Sequence, residues 1–475
     1  MQLVTKGLTP DQERVLESNF VQAGPLYQVQ DLHPMLDCAC APEPWIRFGV
    51  TGKSGLLDQM FSVPFRAKLR EEFFGGILYD CVNHRHYMLN HEAFHVFKQF
   101  GEEARPGHHL IGQLDHDRGE ETLQHLVGAG LIAASAEVPD MEVFGARDLS
   151  LAYLQSPIIV EVEVTYGCFR TCKHCAYESS PDARRPDELT APQWAEIFRK
   201  LAAAGVLIVQ LTGGDPLFRD DSFDIVQAAS DAGMSVYVRS DTAALSPANV
   251  RRLKDLPGLW HVGTSMDGAD ATSHDWMRGK GAFSTLQKRV EILAAAGIDV
   301  SVGATLHRGN YASVRKIGQA AVSFGAKWFD IGFLSPVGRG VQLQDLVLDG
   351  SQTREALDLY LEGIRAGDYV PSHSHYLRRA DSDQPFNDLA TLVDRMPYLT
   401  EWPFSRLRLD PTGSSYTAGK LKGSDYAGGF NLTSCEVEQV WDHSPNLVQL
   451  RELGAGGRIH SLDYRLLRSS HEFMG

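Results

Sequence analysis

Residues 158–175 read IIVEVEVTYGCFRTCKHC. The run Ile158–Thr165 is short, rich in β-branched residues and bounded by a glycine, which predicts a strand. Cys168, Cys172 and Cys175 follow at once. Outward from this stretch the same kind of run recurs, at Val206–Thr212, Ser235–Arg239, His261–Ser265, Val300–Leu306 and Trp328–Leu334. Helical patterns lie between the runs, at Gln193–Ala204, Phe223–Ala232, Phe283–Ala296 and Ser313–Phe324. Gly205, Gly233, Gly297 and Gly325 each sit between a helical pattern and the next strand, where a left-handed residue ends a helix. Alternation of this kind predicts an α/β fold with a parallel sheet. Six strands predict a partial (β/α)6, TIM-like barrel, open rather than closed. Ligands of such sheets bind at the C-terminal ends of the strands, which is where the cysteines fall.

The chain has 475 residues, so two or three domains are expected. A net charge of −15 without long runs of one sign argues against nucleic acid or an anionic membrane as partner. The opening MQLVTKGLTPDQER has no apolar core of the signal-peptide kind, and no apolar stretch is long enough to span a bilayer, so a cytoplasmic protein is expected. Seven cysteines, odd in number and clustered, point to metal or redox chemistry rather than disulfides.

The spacing C-x3-C-x2-C over Cys168, Cys172 and Cys175 suits an iron–sulfur cluster. Three thiolates ligate three irons of a [4Fe-4S] cubane and leave the fourth open. A zinc site is the bland alternative. Structural zinc wants four closed ligands, and His174, between two of the cysteines, is a poor fourth.

Taken together, residues 158–345 resemble the radical S-adenosylmethionine (SAM) superfamily. The resemblance implies that SAM binds the open iron and is reductively cleaved, giving a radical that abstracts hydrogen. It also implies a set of SAM contacts. His174 takes the aromatic position of the loop, near the adenine. Gly213, Gly214 and Asp215 in Thr212-Gly-Gly-Asp-Pro216 stand where the family has GGE, whose backbone meets the SAM amino group; Asp215 replaces the usual Glu. Ser240 in Arg239-Ser-Asp-Thr242 departs from the family's Ser-Thr-Asn-Gly and is expected near the ribose. Ser265-Met-Asp-Gly268, with His274-Asp-Trp-Met-Arg-Gly279 and Phe283, makes Ser265 and Arg278 candidates for the ribose and carboxylate. Leu334, in Leu334-Ser-Pro-Val-Gly338, is expected near the adenine. No general acid or base stands out.

The expected organisation has four parts: an unassigned 1–62, an α+β unit over 63–137, the barrel over 150–345, and a small C-terminal region over 346–475. The segment Arg70-Glu-Glu-Phe-Phe-Gly-Gly-Ile-Leu-Tyr79, with Tyr87-Met-Leu-Asn90 and Leu123…Gly130-Leu-Ile132, resembles the winged-helix-like recognition element of peptide-maturing enzymes. Such elements bind a leader peptide as an added strand. Within it, His91-Glu-Ala-Phe-His95 matches a zinc-protease pattern. Its short helix, small domain and missing third ligand argue for solvated helix residues instead. The C-terminal stretch Phe404–Gly413, with Val440-Trp-Asp-His-Ser444, resembles the extension of peptide-maturing radical SAM enzymes. That extension normally carries several cysteines for auxiliary clusters, and here Cys435 is the one cysteine beyond the barrel. The auxiliary clusters are therefore expected to be missing. A role for Cys435 as hydrogen-atom donor is weighed against a plain small buried residue, which is preferred. Cys38 and Cys40 form a lone C-x-C, usually without function.

The resemblance thus implies modification of a ribosomally made precursor peptide by crosslinking, epimerisation or decarboxylation, with electrons from a donor such as flavodoxin or ferredoxin. The alternatives are a radical SAM enzyme acting on a small metabolite, and a non-enzymatic peptide- or metal-binding protein.

Overall fold

A computed structural model describes residues 56–371 apart from short gaps at 73–74, 90, 101–102, 113–115 and 150–152, together with 406–416, 429–445 and 447–448. These residues fall into two units, divided between Gln155 and Ser156. Cys38 and Cys40, the unassigned 1–55, and the irregular stretch 372–405 lie outside the described residues.

The first unit carries β1 (Met60–Ser62), β2 (Ala67–Glu72), β3 (Gly75–Asp80), β4 (Arg85–Leu89), α1 (His91–Lys98), β5 (Arg105–Pro106), α2 (Gly107–Leu110), α3 (His116–Gly128), β6 (Ala133–Ala134) and β7 (Met141–Phe144). Two sheets form, ordered β4-β3-β2-β7 and β5-β1-β6. The strand-like readings around FFGGILYD and HRHYML become the antiparallel pair β3–β4. β7, unread in the sequence, pairs parallel to β2. Helix α1 lies against β3, where a Cβ at Gly76 would come within 2.3 Å of the Phe94 ring. Leu69, Leu78, Phe97, Phe100, Leu123 and Leu126 build the core between sheet and helices. The pattern His91–His95 opens α1 as read; the side chains of His91 and Glu92 lie outside the described residues. His95 meets Gln99 at 3.3 Å.

The second unit is the barrel. Its strands are β8 (Ile159–Thr165), β9 (Ile208–Gly213), β10 (Ser235–Arg239), β11 (Leu259–Ser265), β12 (Val300–Leu306) and β13 (Trp328–Phe333). They lie in chain order, each parallel to the next. The helices are α4 (Ala191–Ala203), α5 (Ser222–Asp231), α6 (Pro247–Lys254), α7 (Ala271–Arg278), α8 (Ala282–Ala295), α9 (Val314–Ser323) and α10 (Gly350–Arg365). Helix α4 shows the local logic. Thr190 caps it, with its backbone N–H donating to Gln193 Oε1 at 2.9 Å. Trp194, Ile197, Phe198 and Leu201, at helical spacing, are buried against the sheet. The four punctuating glycines all adopt positive φ: 77° at Gly205, 78° at Gly233, 74° at Gly297 and 102° at Gly325. Each ends a helix in the left-handed conformation, as the sequence implies.

The sheet extends further than the six strands. β14 (Arg406–Leu409) adds parallel to β8 on its open side, and β15 (Ser415–Tyr416) pairs antiparallel to β14, making eight strands in all. α11 (Val437–His443) follows. The β14–β8 junction is held by charge. Glu161 on β8 takes Arg406 at 3.3 Å and Arg408 at 2.6 Å. Burial pushes the Glu161 carboxyl up, but Arg408, Arg406 and Arg239 outweigh it and hold it below the ordinary carboxylate range.

A carboxyl lowered on folding contributes stability that is full above its unfolded value, about 4.3, and is lost as the pH falls through the folded value. Glu161→Gln is therefore expected to lower stability at pH 7 by about 2–4 kcal/mol, since it leaves two arginines facing a neutral partner. The gap to wild type narrows as the pH falls below about 4.3. Urea unfolding at a series of pH values checks both; a gap independent of pH would remove the charge argument.

Candidate active site

The loop between β8 and α4 carries the three cysteines across the C-terminal ends of the strands. Backbone contacts fix it at several points. Cys168 N–H donates to Ser180 O at 3.0 Å, and Lys173 N–H to Met277 O at 3.0 Å. Arg339, beyond β13, donates through Nε to Cys172 O at 2.8 Å and through Nη2 to Ser179 O at 2.7 Å. No motif in the sequence marks Arg339.

Cys168, Cys172 and Cys175 line one cavity of about 380 Å³. Gly213 and Gly214 at the end of β9, Ser240 after β10, Ser265 at the end of β11, Arg278 at the end of α7, Leu334 after β13, and His174 line it too. The sequence-predicted residues thus converge, with one exception. Asp215 is fully buried behind the wall and is not among the lining residues. It accepts from Leu217 N–H, Ser240 Oγ and Asp241 N–H, each at 2.9 Å. Burial and the nearby Asp241 push its carboxyl well above the ordinary range. Asp215 is thereby a positioning residue for the β9 and β10 loops. Ser240 lines the cavity while its hydroxyl is engaged by Asp215.

Asp267, the third letter of Ser265-Met-Asp-Gly268, organises the other side. It is buried and accepts from Arg278 Nε at 2.6 Å and Thr305 N–H at 2.8 Å. His174 Nε2 stands 3.5 Å from the same carboxylate. Burial pushes the Asp267 carboxyl up; the Arg278 guanidinium, foremost, and the Thr305 N–H outweigh it and hold it far below the ordinary range. Arg278 Nη2 also meets His174 Nε2 at 3.3 Å. The motif made Asp267 visible but gave no role for it.

Burial lowers His174 to a pKa of about 4, so its ring is neutral at pH 7. Its Nε2 stands between a donor, Arg278 Nη2, and an acceptor, the Asp267 carboxylate, and the tautomer follows the one it bonds. Its Nδ1 is buried without a hydrogen-bond partner among the described residues. A buried unmet polar atom costs about 1–3 kcal/mol, which a complementary atom on a bound ligand would recover. The two glycines form a cradle of backbone. A Cβ at Gly213 would lie 2.2 Å from Thr165 O, and one at Gly214 2.2 Å from Gly167 O.

The donor set fits a cubane. Among the described residues no three His, Cys, Asp or Glu side chains converge on one point as a single ion requires. Thiolates of a cubane need no such convergence, because each takes a different iron. Burial raises the Cys168 and Cys172 thiols above their ordinary range, with Asp215 adding to the rise at Cys168 and Arg278 opposing it at Cys172. Ligation therefore releases protons. Cys435 lies elsewhere, beside α11; its carbonyl accepts from Lys200 Nζ at 3.1 Å, and it lines neither large cavity of the barrel. No helix of the described residues is long and apolar enough to cross a membrane.

Residues 162–317 match the family model described as the radical SAM superfamily. The AdoMet-dependent heme synthase of Nitratidesulfovibrio vulgaris is 30% identical over 205 residues, which are 43% of this chain and 55% of that protein. This chain therefore spans about half the length of that relative. Mycofactocin maturase MftC of Mycolicibacterium smegmatis is 28% identical over 314 residues, 65% of this chain and 76% of that protein. Among solved structures, Streptococcus suis SuiB bound to its precursor peptide SuiA has a TM-score of 0.61 at 14% identity, covering 82% of this chain and 90% of that one. At that identity the likeness is one of fold.

The glycine cradle yields a direct expectation. In Gly214→Ala the added Cβ meets backbone at Gly167 and Tyr166, at 2.2 and 2.7 Å, and the cysteine loop must move. A loss of about 1–3 kcal/mol is expected. Gly332→Ala meets nothing within 4 Å and serves as the control, neutral or slightly stabilising. Urea midpoints of the two variants decide; equal midpoints would mean that the cradle is not tight.

Proposed function

We propose that this chain, which carries a radical SAM domain over residues 162–317, reductively cleaves SAM and abstracts hydrogen from a ribosomally made precursor peptide. The observation that carries the reading is the single cavity shared by three cysteine thiols and the ends of β9, β11 and β13. Cys168, Cys172 and Cys175 hold the [4Fe-4S] cluster. When bound, cluster and SAM together supply a 5′-deoxyadenosyl radical, using one electron from an outside donor of the flavodoxin or ferredoxin kind.

The chain's own part is binding and orientation. Gly213 and Gly214 let backbone approach the SAM amino group. His174 offers its unpartnered Nδ1 beside the adenine, with Leu334 as apolar wall. Ser265 and Ser240 lie near the ribose, and the Arg278 guanidinium faces the carboxylate while Asp267 holds it. Arg339 clamps the loop that presents the thiols.

Two observations favour a peptide over a small metabolite. The maturase likeness spans 65% of the chain, whereas the heme synthase likeness spans 43%. The N-terminal unit also presents β4 at one end of its sheet, with no further strand among the described residues. A leader peptide would add there, in the manner of a winged-helix-like recognition element. Such a protein belongs in a reducing cytoplasm, where its free thiols survive.

Anaerobically reconstituted protein with dithionite and SAM is expected to release 5′-deoxyadenosine. Cys168→Ala/Cys172→Ala/Cys175→Ala is expected to bind no cluster and release none. Chromatography of the quenched reaction measures the product. A wild type that holds its full complement of iron yet yields no product would sink the radical reading.

A further inference from the structure

Closed barrels fill their interior with branched side chains from every strand. This one does not. Inward positions on three successive strands are glycine: Gly263 on β11, Gly303 on β12 and Gly332 on β13. A Cβ at Gly263 would fall 2.2 Å from Tyr237 Oη, and one at Gly303 3.7 Å from Arg239 Nη2. At Gly332 nothing lies within 4 Å. The missing side chains thus make room for two long residues of β10 and leave open space beside them. The result is a second cavity of about 390 Å³ inside the barrel. It shares Glu161, Gln210, Arg239, Thr305, Gly332 and Arg408 with the cysteine-lined cavity.

Of the guanidinium groups that line the two cavities, all but one are held by a hydrogen-bonded or ion-paired neighbour. Glu161 is taken by Arg406 and Arg408. On the cysteine side, Arg170 pairs with Asp241 at 2.7 Å, Arg278 pairs with Asp267 at 2.6 Å, and Arg339 is spent on backbone carbonyls. Arg239 makes no hydrogen bond or ion pair among the described residues. Its guanidinium lies over Gly303 and lines both cavities. The wall of the inner cavity holds three guanidinium groups against the carboxylates Glu161 and Asp330, which leaves one positive charge. Confined between low-dielectric walls, that charge attracts an anion. Two carboxylates on the same wall disfavour a dianion such as a phosphate monoester. A planar guanidinium fork matches a carboxylate.

We propose that the barrel interior carries a carboxylate-binding subsite, in which Arg239 holds an acid group of the peptide residue presented for reaction. The inference rests on the peptide reading above and names the chemistry of its substrate. The acid is either an Asp or Glu side chain or the C-terminal carboxylate of the peptide. Gly303 and Gly332, which line the cavity, are the specificity-determining positions, because a side chain there would occupy the same space.

The test measures binding to full-length, reconstituted protein with SAM, by saturation-transfer NMR. Three probes are used: N-acetylglutamate N-methylamide, N-acetylalanine with its free carboxylate, and N-acetylglutamine N-methylamide. At least one acid probe is expected to bind and the neutral amide to bind far more weakly; the acid that binds identifies the source of the carboxylate. Arg239→Gln is expected to weaken the acid by roughly tenfold or more. Gly332→Leu, which fills open space, is expected to block it with no drop in the urea midpoint. Equal binding of acid and amide to wild type, or undiminished acid binding by Arg239→Gln, would overturn the subsite. Release of 5′-deoxyadenosine is read on the same wild-type sample. Release without acid binding removes the subsite and leaves the radical reading standing, whereas acid binding without release does the reverse.

Discussion

The buried carboxylate of Asp267 is the interaction on which the site depends. It stands where β11 ends and reaches three other elements. Its side chain takes Arg278 from the end of α7, Thr305 N–H from β12 and the approach of His174 from the cysteine loop. Its backbone carbonyl accepts Asn310 Nδ2 at 2.9 Å. One negative charge thereby joins two strand ends, a helix and the loop that carries the thiols. Removing such a charge while leaving Arg278 buried costs about 3–5 kcal/mol, far more than the pair contributes over an apolar replacement. The arrangement is thus one of specification: it holds Arg278 and His174 in fixed places at some cost in desolvation.

Asp215 performs the matching task on the other side. It too is buried, but its partners are hydroxyl and backbone donors rather than a cation. The environments push the two carboxyls in opposite directions, Asp215 up and Asp267 down. Both sit two residues past a strand end, at Gly213 and Ser265, so each orients a loop without occupying the cavity. Backbone then forms the cavity floor at Gly213 and Gly214, where any side chain would strike a carbonyl.

Much of this was legible in the residues. Strand runs and helical stretches were readable because local periodicity and glycine punctuation agree, and Gly205, Gly233, Gly297 and Gly325 adopt positive φ where the pattern placed them. The thiol triad was readable because its spacing is local. What stayed hidden was non-local. The alternation in Arg406–Leu409 suggests a strand, but nothing in it names β8, 245 residues away, as partner. Helix α6 is polar, with Val250 and Leu253 as its buried residues, too weak a stripe to read. Arg339 and the hub role of Asp267 depend on loops that meet only in the fold. His91-Glu-Ala-Phe-His95 illustrates the converse: a local pattern can match a motif although no further ligand follows it in the sequence at a familiar distance.

The barrel interior shows how the same logic extends beyond the cofactor. Every strand from β8 to β14 devotes its outward face to apolar packing, as Val160, Val162, Val209, Leu211, Val302 and Leu407 do. Inward positions are therefore free of the demand for a core. Many of them carry glycine or polar groups instead, beside apolar ones such as Ile159 and Ile208. Glu161 is paired with Arg406 and Arg408 of the returning strand β14, so Arg239 acts on it only through space and makes no ion pair with it. A guanidinium left without a partner in a confined space is either solvated or matched by a ligand. Its position on the wall shared by both cavities makes the second outcome the one with a use, because a residue held by its acid group there would face the side of the barrel where the thiols lie.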